Sequence, residues 1–191
     1  MRPKIWIMKL DAENYRLFKA TPEAFEKWLL WFDKLKSGGS VASEWEVVEM
    51  VLFEGEPGEK RKERKKPIAD FTNGYVYDSC SERARQIIEP LVKGQVEFLP
   101  LKTPVGIYYE MNIQRIACLD EENAIVKRFK DGQIMRVEKY AFLDEKLGGQ
   151  HIFWEREIGI KVTFVSDEFK RLVEENGLTG LLFYPVPLVE E

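Results

Sequence analysis

The chain has 191 residues with 29 Lys/Arg against 33 Asp/Glu, a formal net charge of −4, and is long enough for one domain with a substantial core. Two cysteines without paired spacing and a single histidine exclude a disulfide framework and most imidazole-based metal or acid–base schemes. No run approaches the ~20 apolar residues of a spanning helix, so the reading is a soluble, cytoplasmic protein with no cofactor and no metal.

Lys4–Leu10 alternates as a first strand. Thr21-Pro22 then opens a helix that Ser37-Gly38-Gly39 closes, Thr capping it and Pro filling the first helical position. At 100° per residue, Ala24, Phe25, Trp28, Leu29, Trp31, Phe32 and Leu35 fall in one wide arc, which predicts that Phe25, Trp28 and Phe32 are core. Leu30 alone falls among charged residues. With its neighbours Glu26, Asp33 and Lys34 it is the candidate for contact with a partner.

Glu44–Glu54 (EWEVVEMVLFE) is apolar on both parities, the pattern of a central strand. Glu56–Lys66 follows as a Pro/Gly-bearing, highly charged stretch, predicted to be a solvated and mobile loop. Within it, Glu59–Lys66 holds six bases and two acids, so the rest of the chain carries −8. That balance repels nucleic acid and favours basic partners. Residues 1–66 therefore read as a strand-helix-strand subregion ending in this loop, and 67–191 as an α+β domain that joins it in one compact fold.

From Pro67 the predicted order is a short strand near Tyr75–Tyr77, a helix from Glu82 that Pro90 ends, and a strand over Gln95–Leu101. Strands Ile107–Ile116, Ala124–Phe129, Ile134–Leu143, His151–Glu155 and Lys161–Val165 follow, with Asp131-Gly132 as a hairpin signal. A second helix and a closing strand end the chain. Ser81–Leu101 and Ser166–Val186 align without a gap. Their identities are Ser81/Ser166, Glu89/Glu174, Phe98/Phe183 and Pro100/Pro185. The fold class is therefore α+β, a mostly antiparallel meander with a Trp-rich N-terminal helix and two helix-strand units at 81–101 and 166–186. Ser81 and Ser166 read as helix N-caps.

No phosphate-loop pattern occurs, and no catalytic residue is expected. The paired carboxylates Glu121-Glu122 and Glu174-Glu175 read as solvated faces, with no visible reason for a raised pKa there. Two alternatives stay open. One is a nucleophilic pair of Cys80 or Cys118 with His151, which would meet only in space. The other is nucleic-acid contact through Lys60–Lys66, which lacks interleaved aromatics.

From about Lys66 to Val186 the chain also resembles a bacterial family of immunity proteins from polymorphic toxin systems. The residues that carry the likeness begin with Lys66-Pro-Ile-Ala-Asp70-Phe71, Ser81-Glu-Arg-Ala-Arg85, Glu89-Pro-Leu-Val-Lys-Gly94 and Val96-Glu-Phe-Leu-Pro-Leu101. They continue with Tyr108-Tyr109, Asn112, Leu119-Asp120-Glu121-Glu122 and Ile152-Phe153, and end with Val165-Ser-Asp-Glu-Phe169 and Gly177-Leu-Thr-Gly180 through Phe183. Cys80 departs from the pattern, and the Trp-rich helix and basic loop lie outside it. The resemblance implies a non-enzymatic protein that binds and neutralises a cognate protein toxin. It assigns no catalytic residue and leaves homodimerisation open.

Overall fold

The computed structural model describes residues 4–56, 58–159 and 162–189. The fold is α+β, with strands dominating. In chain order the elements are β1 (Ile5–Leu10), β2 (Phe18–Ala20), α1 (Pro22–Glu26), α2 (Trp28–Lys36), β3 (Val48–Leu52) and the single turn α3 (Lys60–Glu63). Next come β4 (Phe71–Asn73), β5 (Asp78–Ser81), α4 (Glu82–Ile88), β6 (Val96–Thr103), β7 (Gly106–Ile113), β8 (Arg115–Ile116), β9 (Ile125–Arg128) and β10 (Ile134–Lys139). The last are α5 (Asp144–Leu147), β11 (Ile152–Glu155), β12 (Thr163–Ser166), α6 (Asp167–Glu175) and β13 (Leu181–Pro185).

Six strands pair in the order β2-β3-β6-β7-β5-β4 and five in the order β13-β1-β12-β11-β8, while β9 and β10 form a separate ribbon. Pairing is antiparallel except at β3–β6 and β8–β11. The expected strand Ile107–Ile116 is broken at Gln114, so β7 serves the larger sheet and β8 the smaller one. At the far margin the Phe71 amide donates to the Thr179 carbonyl at 2.9 Å, bringing β4 against the entry to β13. Gly180 there has φ +97°, and a Cβ on it would overlap the Phe71 carbonyl. The larger sheet also turns back on itself. The Asn73 side-chain amide accepts from the Phe18 amide and donates to its carbonyl, both at 2.7 Å, and so joins β4 to β2 in place of a strand partner.

The core has two parts. One lies between the larger sheet and the helices and includes Leu35, Met50, Phe71, Ile88, Leu101, Met111 and Phe169. The other lies under the β9–β10 ribbon and is built on Phe153, Phe164, Tyr140, Leu119 and Ile5.

The two helix-strand units are larger than the aligned segments. Each starts with a preceding strand and encloses a third strand taken from elsewhere in the chain. β5 and β6 flank β7, and β12 and β13 flank β1, so each unit is a split β-α-β motif. The register agrees at the offset of the alignment. Cys80 and Pro100 face Tyr109, and Val165 and Pro185 face Trp6.

The side chains repeat as well. Tyr109 sits beside Glu82 and helps hold its carboxyl below the usual range, as Trp6 Nε1 donates to Asp167 Oδ1 at 3.0 Å. Arg85 lies 4.5 Å from the Tyr109 ring centre and 5.8 Å from that of Phe98, and Lys170 lies 4.8 Å and 5.9 Å from those of Trp6 and Phe183. Each cation pairs with the acid one turn on, Arg85 with Glu89 at 3.2 Å and Lys170 with Glu174 at 2.6 Å. Three of the four identities thus carry a shared task, the serines as caps and Glu89/Glu174 and Phe98/Phe183 as a clamp on a cation. The Ser81 and Ser166 hydroxyls each accept from the amide three residues on at 3.1 Å. Ser81→Ala and Ser166→Ala are each expected to cost about 1 kcal/mol in urea unfolding; unchanged midpoints would remove the capping role.

Several expectations are corrected. The expected single helix over 22–36 is two helices, because Lys27 at φ −91° and ψ −2° departs from regular α-helical angles and forms a turn between them. The stretch expected to be a mobile loop contains the helical turn α3, where Glu63 is buried and pairs with Lys66 at 2.5 Å, and Arg64 pairs with Glu54 at 2.5 Å. Pro57 lies outside the described residues, as does Lys161, the first residue of an expected strand. β3 is shorter than Glu44–Glu54 and exposes Glu49, with Val47 exposed just before it, so it is not apolar on both faces. α5 was not anticipated.

Tyr75–Tyr77 is not a strand but a loop between β4 and β5, wrapped around a buried carboxylate. Glu110 of β7, fully buried, accepts from the amides of Tyr75 (2.5 Å), Val76 (2.8 Å) and Tyr77. Burial pushes its pKa up to about 7 against those three donors, with Asp78 adding to the rise. The folded-state value lies above the ordinary 4.5, so the stabilisation is complete below about pH 4.5 and is lost as pH rises through about 7, amounting to about 3 kcal/mol. Urea midpoints of the wild type are therefore expected to fall between pH 5 and pH 8 relative to Glu110→Gln; parallel curves would contradict this.

Candidate interaction surface

The N-terminal helix pair supplies the most exposed apolar surface next to unpaired charge. Thr21 caps α1 by accepting from the Ala24 amide at 3.3 Å, and Pro22 stands at its start. α2 buries only Trp31 and Leu35, one helical turn apart. Trp28 and Phe32 are half-buried and stack on each other with ring centres 4.9 Å apart. Trp31 packs on Trp45 at 4.7 Å, and Trp45 Nε1 donates to the Pro100 carbonyl at 2.9 Å, which ties the pair to β6.

The expectation that Phe25 is core fails. It is 67 % exposed, and Leu29, from the same arc, is 64 % exposed. The physical reason is how little each short helix buries: α1 buries none of its residues, and the buried stripe of α2 narrows to Trp31 and Leu35 with flanking rings, leaving Leu29 outside it. Leu30, 56 % exposed, therefore has company: Phe25, Leu29 and Leu30 crowd one outward stretch of two short helices.

The charges around this stretch are asymmetric. Lys27 is paired with Glu46 at 2.6 Å, and Lys34 with Glu44 at 2.6 Å while also lying 4.9 Å from the Trp31 ring centre. Lys36 lies 5.7 Å from the ring of Phe32. Glu26 and Asp33 are exposed and make no hydrogen bond or ion pair among the described residues. Beside α1 a groove of about 390 Å³ runs along the start of β3, with Glu23, Glu46 and Glu49 on its walls and Trp31 and Tyr75 among its lining residues. The face thus offers an apolar centre and net negative charge. Of the four residues singled out in the sequence, Glu26, Leu30 and Asp33 stand free on it, whereas Lys34 is a strut to Glu44. Phe25 and Leu29 were missed because their helical phase resembles that of core residues.

The other candidates occupy structural positions. Cys80 and Cys118 are buried, and burial pushes both thiols up, Cys118 to about 12, the opposite of what activates a thiolate. The His151 Nδ1 lies 3.0 Å from the Ser166 cap hydroxyl, and its backbone amide donates to Gln95 Oε1 at 2.7 Å. In the basic stretch, Arg64 and Lys66 are engaged with Glu54 and Glu63, while Lys60, Arg61, Lys62 and Lys65 remain exposed. Among the described residues no helix is long and apolar enough to cross a membrane.

No curated protein matches the sequence. A family model described as "Immunity protein family (Imm11)" matches residues 13–187. That span includes β2, the helix pair and the basic turn, so they are part of the family's pattern and not additions to it, as a likeness confined to 66–186 had implied. The match covers most of the chain, split β-α-β units and helix pair alike, and the chain therefore belongs to the Imm11 immunity protein family.

Proposed function

We propose that this protein is a non-enzymatic, cytoplasmic immunity protein that binds and neutralises a cognate bacterial toxin through the outer face of α1 and α2. Membership of an immunity family supports protection against a toxin. The observation that carries the choice of surface is the exposed trio Phe25, Leu29 and Leu30 beside the unpaired acids Glu26 and Asp33. Apolar area at the centre of a patch supplies affinity, and one sign of charge around it selects and steers the partner. The occupant that fits is a toxin surface with basic residues around an apolar centre. Lys34 contributes as the residue that fixes the edge of the face against Glu44.

The test takes its candidate toxin domain from a search of the open reading frames that neighbour this gene. Purified chain and toxin are expected to form a stoichiometric complex in calorimetry, and co-expression to restore growth of cells carrying the toxin. No complex at micromolar concentrations, or rescue that persists when the two proteins do not bind, would overturn the proposal.

A further inference from the structure

Glu110 lies under the helix pair, and the loop it clasps is what the pair rests on. On the inner side of that loop the carboxylate takes three successive amides, those of Tyr75, Val76 and Tyr77. A Cβ at position 74 would collide with Glu110 Oε2, so Gly74 lets the backbone close over the acid. On the outer side the same residues hold the helices. The Tyr75 hydroxyl donates to the Ala24 carbonyl in α1 at 2.5 Å, and the Tyr75 carbonyl accepts from Trp28 Nε1 at the start of α2 at 2.9 Å. One residue thus grips both sides of the break at Lys27. The Tyr77 hydroxyl accepts from Arg115 Nη2 at 3.2 Å, and that nitrogen also donates to the Leu35 carbonyl in the last turn of α2 at 3.1 Å.

Burial of Trp31 and Leu35 holds α2 to the core, and the competing ion pairs are weaker. The pairs Lys27–Glu46 and Lys34–Glu44 are largely solvent-exposed, and such pairs contribute about 0–1 kcal/mol. α1 has five residues and α2 nine, too short to set their mutual angle by intrinsic helix stability. The orientation of the pair is therefore held by tertiary anchors, with the 74–77 loop at the hinge.

We propose that Glu110 is a positioning residue for the binding face: through the loop 74–77 it fixes the angle between α1 and α2, and with it the placing of Phe25, Leu29 and Leu30. This rests on the reading of that face as the toxin site. It assigns to a buried acid control over how the surface is presented.

Glu155 provides the control. It is as buried as Glu110 and also accepts three amides, those of Leu119, Glu157 and Ile158, but it stands on β11 of the smaller sheet. Glu110→Gln and Glu155→Gln are compared in the full chain by hydrogen exchange without partner and by calorimetry with the toxin. Glu110→Gln is expected to speed exchange across residues 22–36 by about tenfold or more and to weaken binding by about tenfold. Glu155→Gln is expected to leave both at wild-type values. Tyr75→Phe, which removes only the bond to Ala24, is expected to move both readouts in the same direction by a smaller factor, and it decides the matter if Glu110→Gln does not fold. Exchange over 22–36 that responds no more to Glu110→Gln or Tyr75→Phe than to Glu155→Gln overturns the positioning role. Faster exchange with unchanged affinity overturns instead the assignment of the face to the toxin.

Discussion

Replacing Phe25 and Leu30 together by aspartate is expected to weaken toxin binding by about 100-fold or more while moving the urea midpoint little. Both side chains are more than half exposed in the free protein, so folding loses little when they are removed, and surface substitutions of this kind usually stay within about 0.5 kcal/mol. In a complex they would be desolvated at the centre of the patch, where truncation of an anchor costs about 2 kcal/mol or more. Two buried carboxylates facing an apolar partner add a desolvation penalty to that loss. The measurement is a pair of titrations, calorimetry for affinity and urea for stability. A variant that binds like wild type would place the toxin elsewhere; one that loses stability in proportion would make these residues core after all.

Phe164→Ala is expected to be the most damaging single core change, at about 3–5 kcal/mol. Phe164 is fully buried in the centre of β12. Its ring stacks on Phe153 at 5.3 Å and meets Tyr140 at 5.3 Å and Phe142 at 5.5 Å edge-on. Removing it takes the common partner from all three rings at once, so both the buried area and the aromatic pair contributions disappear. The β9–β10 ribbon contributes Val126, Ile134 and Val137 to this second core and is expected to lose protection before the larger sheet does. Urea unfolding followed by exchange at residues 125–139 measures this, and a loss under about 1.5 kcal/mol would mean the site collapses around the gap.

What the sequence disclosed and what it concealed differ by range. The helix starts at Ser81 and Ser166 and the stop near Pro90 were legible because caps and prolines act within a few residues. The repeat was legible as an alignment, yet its meaning was not. Glu174 is exposed, as read, but it also pairs with Lys170, whose ammonium lies over the rings of Trp6 and Phe183. Trp6 and Tyr109 lie outside the aligned segments, one at the start of the chain and the other after β6, so no local pattern connects them. Glu110 was hidden for the same reason: it sits in an ordinary strand, and its three amide partners are more than thirty residues away.

The face was half legible. Leu30 among charges stood out, but Phe25 was misplaced because lysine is a good helix former and gives no sign of a break at position 27, and Leu29 because the buried stripe of α2 is narrower than its apolar arc. The basic stretch looked mobile from composition alone, and only the burial of Glu63 against Gly55 shows why it forms a turn. In each case the missing information was a contact between distant segments.

The claim that the unpaired acids on α1–α2 recruit a basic toxin is tested most directly by association kinetics. Glu26→Lys with Asp33→Lys is compared with the exposed pair Glu145→Lys with Glu175→Lys, which carries the same change in net charge on other elements. At low ionic strength the first pair is expected to lower kon by about tenfold or more, an effect that shrinks as salt is raised, while the second changes kon far less. Equal rates for both variants, at every salt concentration, would contradict the account.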